Sequence, residues 1–97
     1  MKSWYSARLL FEAEVEGEGS GDPLCEESIR LVEADDEDDA QRRAAEVGLE
    51  AQHEYLNEDG RTVRWRFRRV LEIQDLCEPK IEHGIEVFSK MFRRSQT

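Results

Sequence analysis

Cysteine, proline and methionine are scarce in this 97-residue chain, two of each, and aromatic residues make up 8% of it. Two cysteines 52 positions apart, Cys25 and Cys77, cannot form the dense disulfide framework of a small secreted domain. With no CxxC pair, they are expected as reduced, partly buried thiols. No apolar run reaches the roughly 18 residues that a membrane-spanning helix needs, and the Met1-Lys2-Ser3-Trp4 start carries no apolar signal region. A cytoplasmic protein with no membrane partner is therefore expected. Positive charge is also short: 14 Lys and Arg face 23 Asp and Glu, for a net charge of −9. Such a chain is a poor general ligand for phosphate backbones.

The deficit is uneven. Residues 1–60 carry a net −13 and residues 61–97 a net +4. The length fits one domain, residues 1–97, that buries only about 60–70% of its unfolded surface. Modest stability, or support from self-association, is the corresponding expectation.

Residues 3–16 alternate with period two. Tyr5, Ala7, Leu9, Phe11, Ala13 and Val15 lie on one side; Ser6, Arg8, Glu12, Glu14 and Glu16 lie on the other, with Leu10 the exception. That is a long strand with one buried face. The Gly-rich stretch 17–24 follows, expected as a flexible loop. A second strand is expected over Cys25–Ala34, with Ile29 and Leu31 on one face and Ser28, Arg30 and Val32 on the other.

The acidic run Asp35-Asp36-Glu37-Asp38-Asp39 suits a helix start, where backbone N–H groups lack partners. Ala40, Ala44, Val47, Ala51 and Tyr55 then advance at helical spacing, so the helix is expected to run to about Leu56. Asp38–Arg42 and Asp39–Arg43 stand at i,i+4. After a turn at Asn57-Glu58-Asp59-Gly60, a third strand is expected over Arg61–Leu76. Val63, Trp65, Phe67, Leu71 and Ile73 share one of its faces, interrupted by Arg69; Arg64, Arg66, Arg68 and Val70 share the other. A fourth strand is expected over Gly84–Phe92, and a frayed tail over Arg93–Thr97. The fold class is α+β, ββαββ: a four-stranded antiparallel sheet in order 2-1-3-4 with one helix on one face. Charge selects that order, because it lays Arg64, Arg66 and Arg68 beside Glu12, Glu14 and Glu16.

Three function classes compete. Five arginines between Arg61 and Arg69, interleaved with Trp65 and Phe67, are the composition of a single-stranded nucleic-acid or nucleotide binder. Alternation sends the aromatics and the arginines to opposite faces, however, so one strand of nucleic acid cannot use both. Catalysis would draw on Cys77, His83 and Glu82, or on a site under the Gly-rich loop. The glycines at 17–21 join two strands and sit among Glu16, Glu18 and Asp22, which repel phosphate. No metal or cofactor is expected. The acidic run lacks the ligand spacing of a calcium loop, and Cys25, His53, Cys77 and His83 lack paired zinc spacing. The favoured expectation is a non-catalytic interaction module, a homodimer or the binder of a protein partner. Its expected surface is the open sheet face with Arg64, Arg66, Arg68, Glu86, Phe88 and Phe92.

Trp4-Tyr5, Leu9-Leu10-Phe11-Glu12, Glu27-Ser28-Ile29, Val63-Arg64-Trp65 and Gly84-Ile85-Glu86-Val87 together resemble a family of short bacterial proteins catalogued as a domain of unknown function. The family has a Gly-Thr-Glu motif, in which Ile85 here replaces the threonine. The resemblance implies a bacterial, cytoplasmic, stand-alone domain.

Overall fold

The longest alternating segment forms the longest shared ladder. In the computed structural model, which describes residues 2–19, 21–78 and 80–94, β1 spans Ser3–Val15 and β2 spans Cys25–Ala34. They pair antiparallel from Ser3↔Ala34 to Glu12↔Cys25 without a register break. Tyr5, Ala7, Leu9 and Phe11 are buried, as their period-two spacing requires. On β2 the face that turns inward is that of Val32, not that of Ile29 and Leu31. Val32 and Ala34 lie opposite Tyr5 and Ser3 and are buried, while Ile29 and Leu31 are exposed. The sequence of β2 is apolar on both sides at this point, so only its register against Tyr5 decides which side goes in.

The helix α1 covers Glu37–Glu50. Asp36 caps it by accepting from the Asp39 N–H at 2.8 Å, and the Asp39 carboxylate accepts in return from the Asp35 N–H at 2.9 Å. Asp39 also takes Arg43 Nε at 3.0 Å and is bonded by Arg42, so the expected Asp39–Arg43 pair forms. Arg42 goes to Asp39 and Glu46 instead of Asp38. Those backbone and arginine contacts hold the Asp39 carboxyl below its usual range, the Asp35 N–H contributing most. Alanines at 40 and 44 bring the helix down onto the sheet.

The helix stops at Glu50, not near Leu56. Residues His53–Leu56 form β3, which pairs antiparallel with β4, Thr62–Asp75. The cause is the hairpin loop. Asn57 Oδ1 accepts from the N–H groups of both Asp59 and Arg61 at 3.0 Å, and Gly60 takes φ +77°. This tight reversal leaves the preceding residues beside β4, and ladder hydrogen bonds replace helical ones. Gln52 ends the ladder, its Oε1 accepting from the Phe67 N–H at 2.9 Å.

One antiparallel sheet results, in order β2-β1-β4-β3, with α1 on one face. Four antiparallel strands with one helix, and the arginine strand beside β1, are as expected; the order 2-1-3-4 is not, because the third strand along the chain is His53–Leu56 at the edge and the arginine strand is the fourth. The neighbour on its far side is His53–Leu56, and residues 84–92 form no strand.

Two register shifts in β4 settle its mixed pattern. Arg68 and Leu71 have no partner residue on β1, so inward positions pass from Phe67, opposite Phe11, to Val70, opposite Leu9, and then to Ile73, opposite Ala7. Val70 thus packs on the core rather than the outer face. Arg69 falls opposite Leu10, outside. The tail expected over Arg93–Thr97 lies, from residue 95, outside the described residues, as does Ser20 of the Gly-rich loop.

Candidate interaction surface

The sheet face opposite α1 holds the residues that charge patterning singled out. Arg64, Arg66 and Arg68 project from β4 toward carboxylates on both neighbouring strands. Arg64 Nε donates to Glu54 Oε2 at 2.8 Å, Arg66 Nε to Glu14 Oε1 at 2.9 Å, and Arg68 Nε to Glu12 Oε2 at 3.1 Å. Arg68 also stands 3.7 Å from Glu14. The register sets Glu14 opposite Arg64 and Glu12 opposite Arg66, so the β1 pairs are diagonal, each arginine reaching a carboxylate of the adjoining row. Glu54 becomes a partner of Arg64 because His53–Leu56 is a strand rather than the last turn of the helix. Pairs this exposed contribute only about 0.2–1 kcal/mol each, but they select which strands lie side by side.

The C-terminal segment lies back across this same face. Phe88 stands over Arg8, with 4.8 Å from the guanidinium carbon to the ring centroid. Arg8 in turn donates to Glu72 at 2.6 Å. Beside it the Ser89 N–H donates to Gln74 Oε1 at 3.2 Å, and Gln74 Nε2 donates to Ser89 Oγ at 3.3 Å. Arg8 Nε is buried with no hydrogen-bond partner among the described residues. Phe88 is therefore half-covered by its own chain. Phe92 and Glu86 are exposed, and the arginine row is engaged with Glu54, Glu14 and Glu12. Gly84 takes φ +86° in a turn closed by the Ile85 N–H donating to the Glu82 carbonyl at 3.1 Å. Its glycine serves that turn, where a strand entry was expected.

Sequence reasoning missed the apolar strip next to this cluster. Ile29 lies opposite Arg8 and Leu31 opposite Ser6, so both are on the outer face, 46% and 39% exposed.

On the other face, α1 is too short for its sheet. Fourteen residues rise about 21 Å, whereas thirteen strand residues extend about 43 Å. A hollow of about 780 Å³ under the Gly-rich loop is lined by Ala13, Val15, Tyr55 and Trp65 and also by Glu12, Glu14 and Arg68 of the opposite face. Glu82 and His83 line a separate hollow of about 270 Å³ that does not include Cys77. Cys25 and Cys77 are both free and exposed, where partial burial was expected. Among the described residues, no group of three or more His, Cys, Asp and Glu is placed to hold a metal ion. No described helix is long and apolar enough to cross a membrane.

Residues 4–89 match the model of the family described as Domain of unknown function (DUF4288), and the chain belongs to that family. No curated protein and no solved structure matches it.

Proposed function

We propose that this chain is a small non-catalytic interaction module that self-associates through the outer side of its sheet. One observation carries the reading: Ile29 and Leu31 are exposed on that face, along a ten-residue strand whose far edge has no partner strand among the described residues. An exposed apolar row beside an open edge is the surface that folded proteins ordinarily cover. Phe88, half-exposed over Arg8, which lies opposite Ile29, extends the same apolar region.

The arginine row supports this reading over nucleic-acid binding. Arg64, Arg66 and Arg68 are each bonded to a carboxylate, so a phosphate would have to displace an existing partner against the field of a −9 chain. Two free, exposed thiols fit a reducing compartment, in keeping with a bacterial cytoplasmic protein. Sedimentation equilibrium from micromolar to millimolar protein tests the proposal. A concentration-dependent rise in mass toward twice that of the chain supports it. A single-chain mass across the whole range overturns it.

A further inference from the structure

The two edges of the sheet differ. β3 closes one side with four residues. β2 closes the other with ten, Cys25–Ala34, paired to β1 through ten consecutive positions with no bulge. Edge strands are normally blunted by shortness, proline, bulges or lysine. β2 has no proline, bulge or lysine; it carries the charges of Glu26, Glu27, Arg30 and Glu33, which a partner strand has to match, and its outward row of backbone N–H and C=O groups is a template for such a strand.

Charge says which strand fits. A second copy related by a two-fold axis perpendicular to the sheet would pair β2 with β2 antiparallel, keeping the helices on one side. Only a few registers are then available, each named by the residue on the axis. Centring on Arg30 sets Arg30 against itself and Glu27 against Glu33. Centring on Glu27 sets two glutamates face to face. Centring on Ile29 puts Leu31 opposite Glu27 and Glu26 opposite Val32. Centring on Ser28 instead puts Glu26 of each copy opposite Arg30 of the other, twice by symmetry. Both side chains are exposed and share one face of β2. On the other face the same register sets Leu31 against Cys25 and Ile29 against Glu27, with the two Ile29 side chains diagonal to each other across the axis. Like charges directly opposed disfavour the Arg30 and Glu27 registers, the Ile29 register sets no opposite charges together, and the Ser28 register alone gains reciprocal pairs of opposite charge.

We infer that the partner is a second copy of this chain, joined β2 to β2 about Ser28 into an eight-stranded sheet, with reciprocal Glu26–Arg30 ion pairs across the axis. The inference rests on the self-association proposed above and moves its joint from the outer face to the β2 edge that borders it, with a defined register. The short β3 then becomes both outer edges of the joined sheet, so growth stops at two copies.

Cross-linking reads the register directly. In a Cys25→Ser/Cys77→Ser background, Ser28→Cys places the two new thiols directly opposite each other, and mild oxidation is expected to give a covalent dimer. Glu33→Cys, far from its symmetry mate in this register, is expected to give none. Circular dichroism confirms that each variant folds. Glu26→Arg and Arg30→Glu are each expected to weaken association about tenfold, which corresponds to about 1.4 kcal/mol, and the double exchange to restore it. In the unsubstituted chain, outward amides of residues 25–31 are expected to exchange more slowly at high concentration than at low. A dimer by sedimentation that does not cross-link through Ser28→Cys, or cross-links equally through Glu33→Cys, overturns the register and leaves self-association standing. A strict monomer overturns both.

Discussion

Phe88 covers the guanidinium of Arg8, 4.8 Å from its carbon to the ring centroid, while that guanidinium is bonded to Glu72. Residues more than 60 positions apart in the chain thus meet on the outer sheet face. The contact ties a segment with no ladder hydrogen bonds of its own to the sheet, helped by the Ser89–Gln74 pair. A cation–π contact at such a site contributes about 0.5–1 kcal/mol. Phe88→Ala should therefore leave the sheet folded while freeing the segment. Trypsin cleavage at Lys80 or Lys90 is expected to speed up several-fold with little change in far-ultraviolet circular dichroism. Unaltered cleavage would count against the contact.

Gly48 brings α1 close against the ring of Phe67. A Cβ there would come within 3.0 Å of the Phe67 ring. Alanine favours a helix interior over glycine by about 1 kcal/mol, but overpacking costs about 1–3 kcal/mol. Gly48→Ala is thus expected to lower the melting temperature despite the better helix former. Adding Phe67→Leu should recover part of the loss, and a Gly48→Ala variant as stable as the parent would show that the helix has room to move.

Val32 and Ile29 test which face of β2 is inside. Val32 is 5% exposed and packs with Tyr5 and Ala34. An aspartate there buries a charge without a partner, expected to cost at least about 3 kcal/mol and to abolish cooperative unfolding in so small a domain. Ile29→Asp should leave the fold within about 1 kcal/mol of the parent and act on association instead. Equal destabilisation by the two, followed by urea titration, would contradict the register.

Asp39 links stability to acid. Its carboxyl is held below the usual value of 3.8, first by the Asp35 N–H and then by Arg43 and Arg42. A depressed folded-state pKa stabilises above the unfolded value, and that contribution is lost as pH falls through the folded value. Asp39→Asn should accordingly be less stable than the parent at neutral pH, with the gap closing below about pH 4. Thermal melts at stepped pH read this. A gap that stays constant into acid would rule out the carboxylate as its source.

Arg66 and Glu14 provide a test by exchange. Arg66→Glu places three carboxylates together with Glu12 and Glu14, and a loss of about 1 kcal/mol or less is expected for a pair this exposed. Combining it with Glu14→Arg should restore most of that loss, since the diagonal geometry accepts either orientation. No recovery in the double variant would mean that the two side chains are uncoupled.

Much of this was legible in the residues. Tyr5, Ala7, Leu9 and Phe11 announce a buried strand face by spacing alone, and the acidic run at 35–39 announces a helix start because its carboxylates meet free N–H groups. The opposition of Glu12 and Glu14 to Arg66 and Arg68 was readable as well, since charge along two strands carries neighbour information. The end of the helix was not. Ala51 and Tyr55 continue helical spacing, and nothing local shows that His53–Leu56 has a strand waiting at Thr62–Trp65. The segment 84–92 alternates like a strand, yet no sheet edge receives it and its Phe88 is taken up by Arg8.

The sequence by itself determined which segments carry apolar stripes, where the helix begins, and which strand the arginines lie against, because periodicity, capping and charge act over a few residues or one pair of strands. Only the tertiary structure decided the inward face of β2, the two bulges that bring Val70 inside, and the edge that remains open. Each of those depends on a register between distant segments, and in a sheet a shift of one residue turns every side chain to the opposite face.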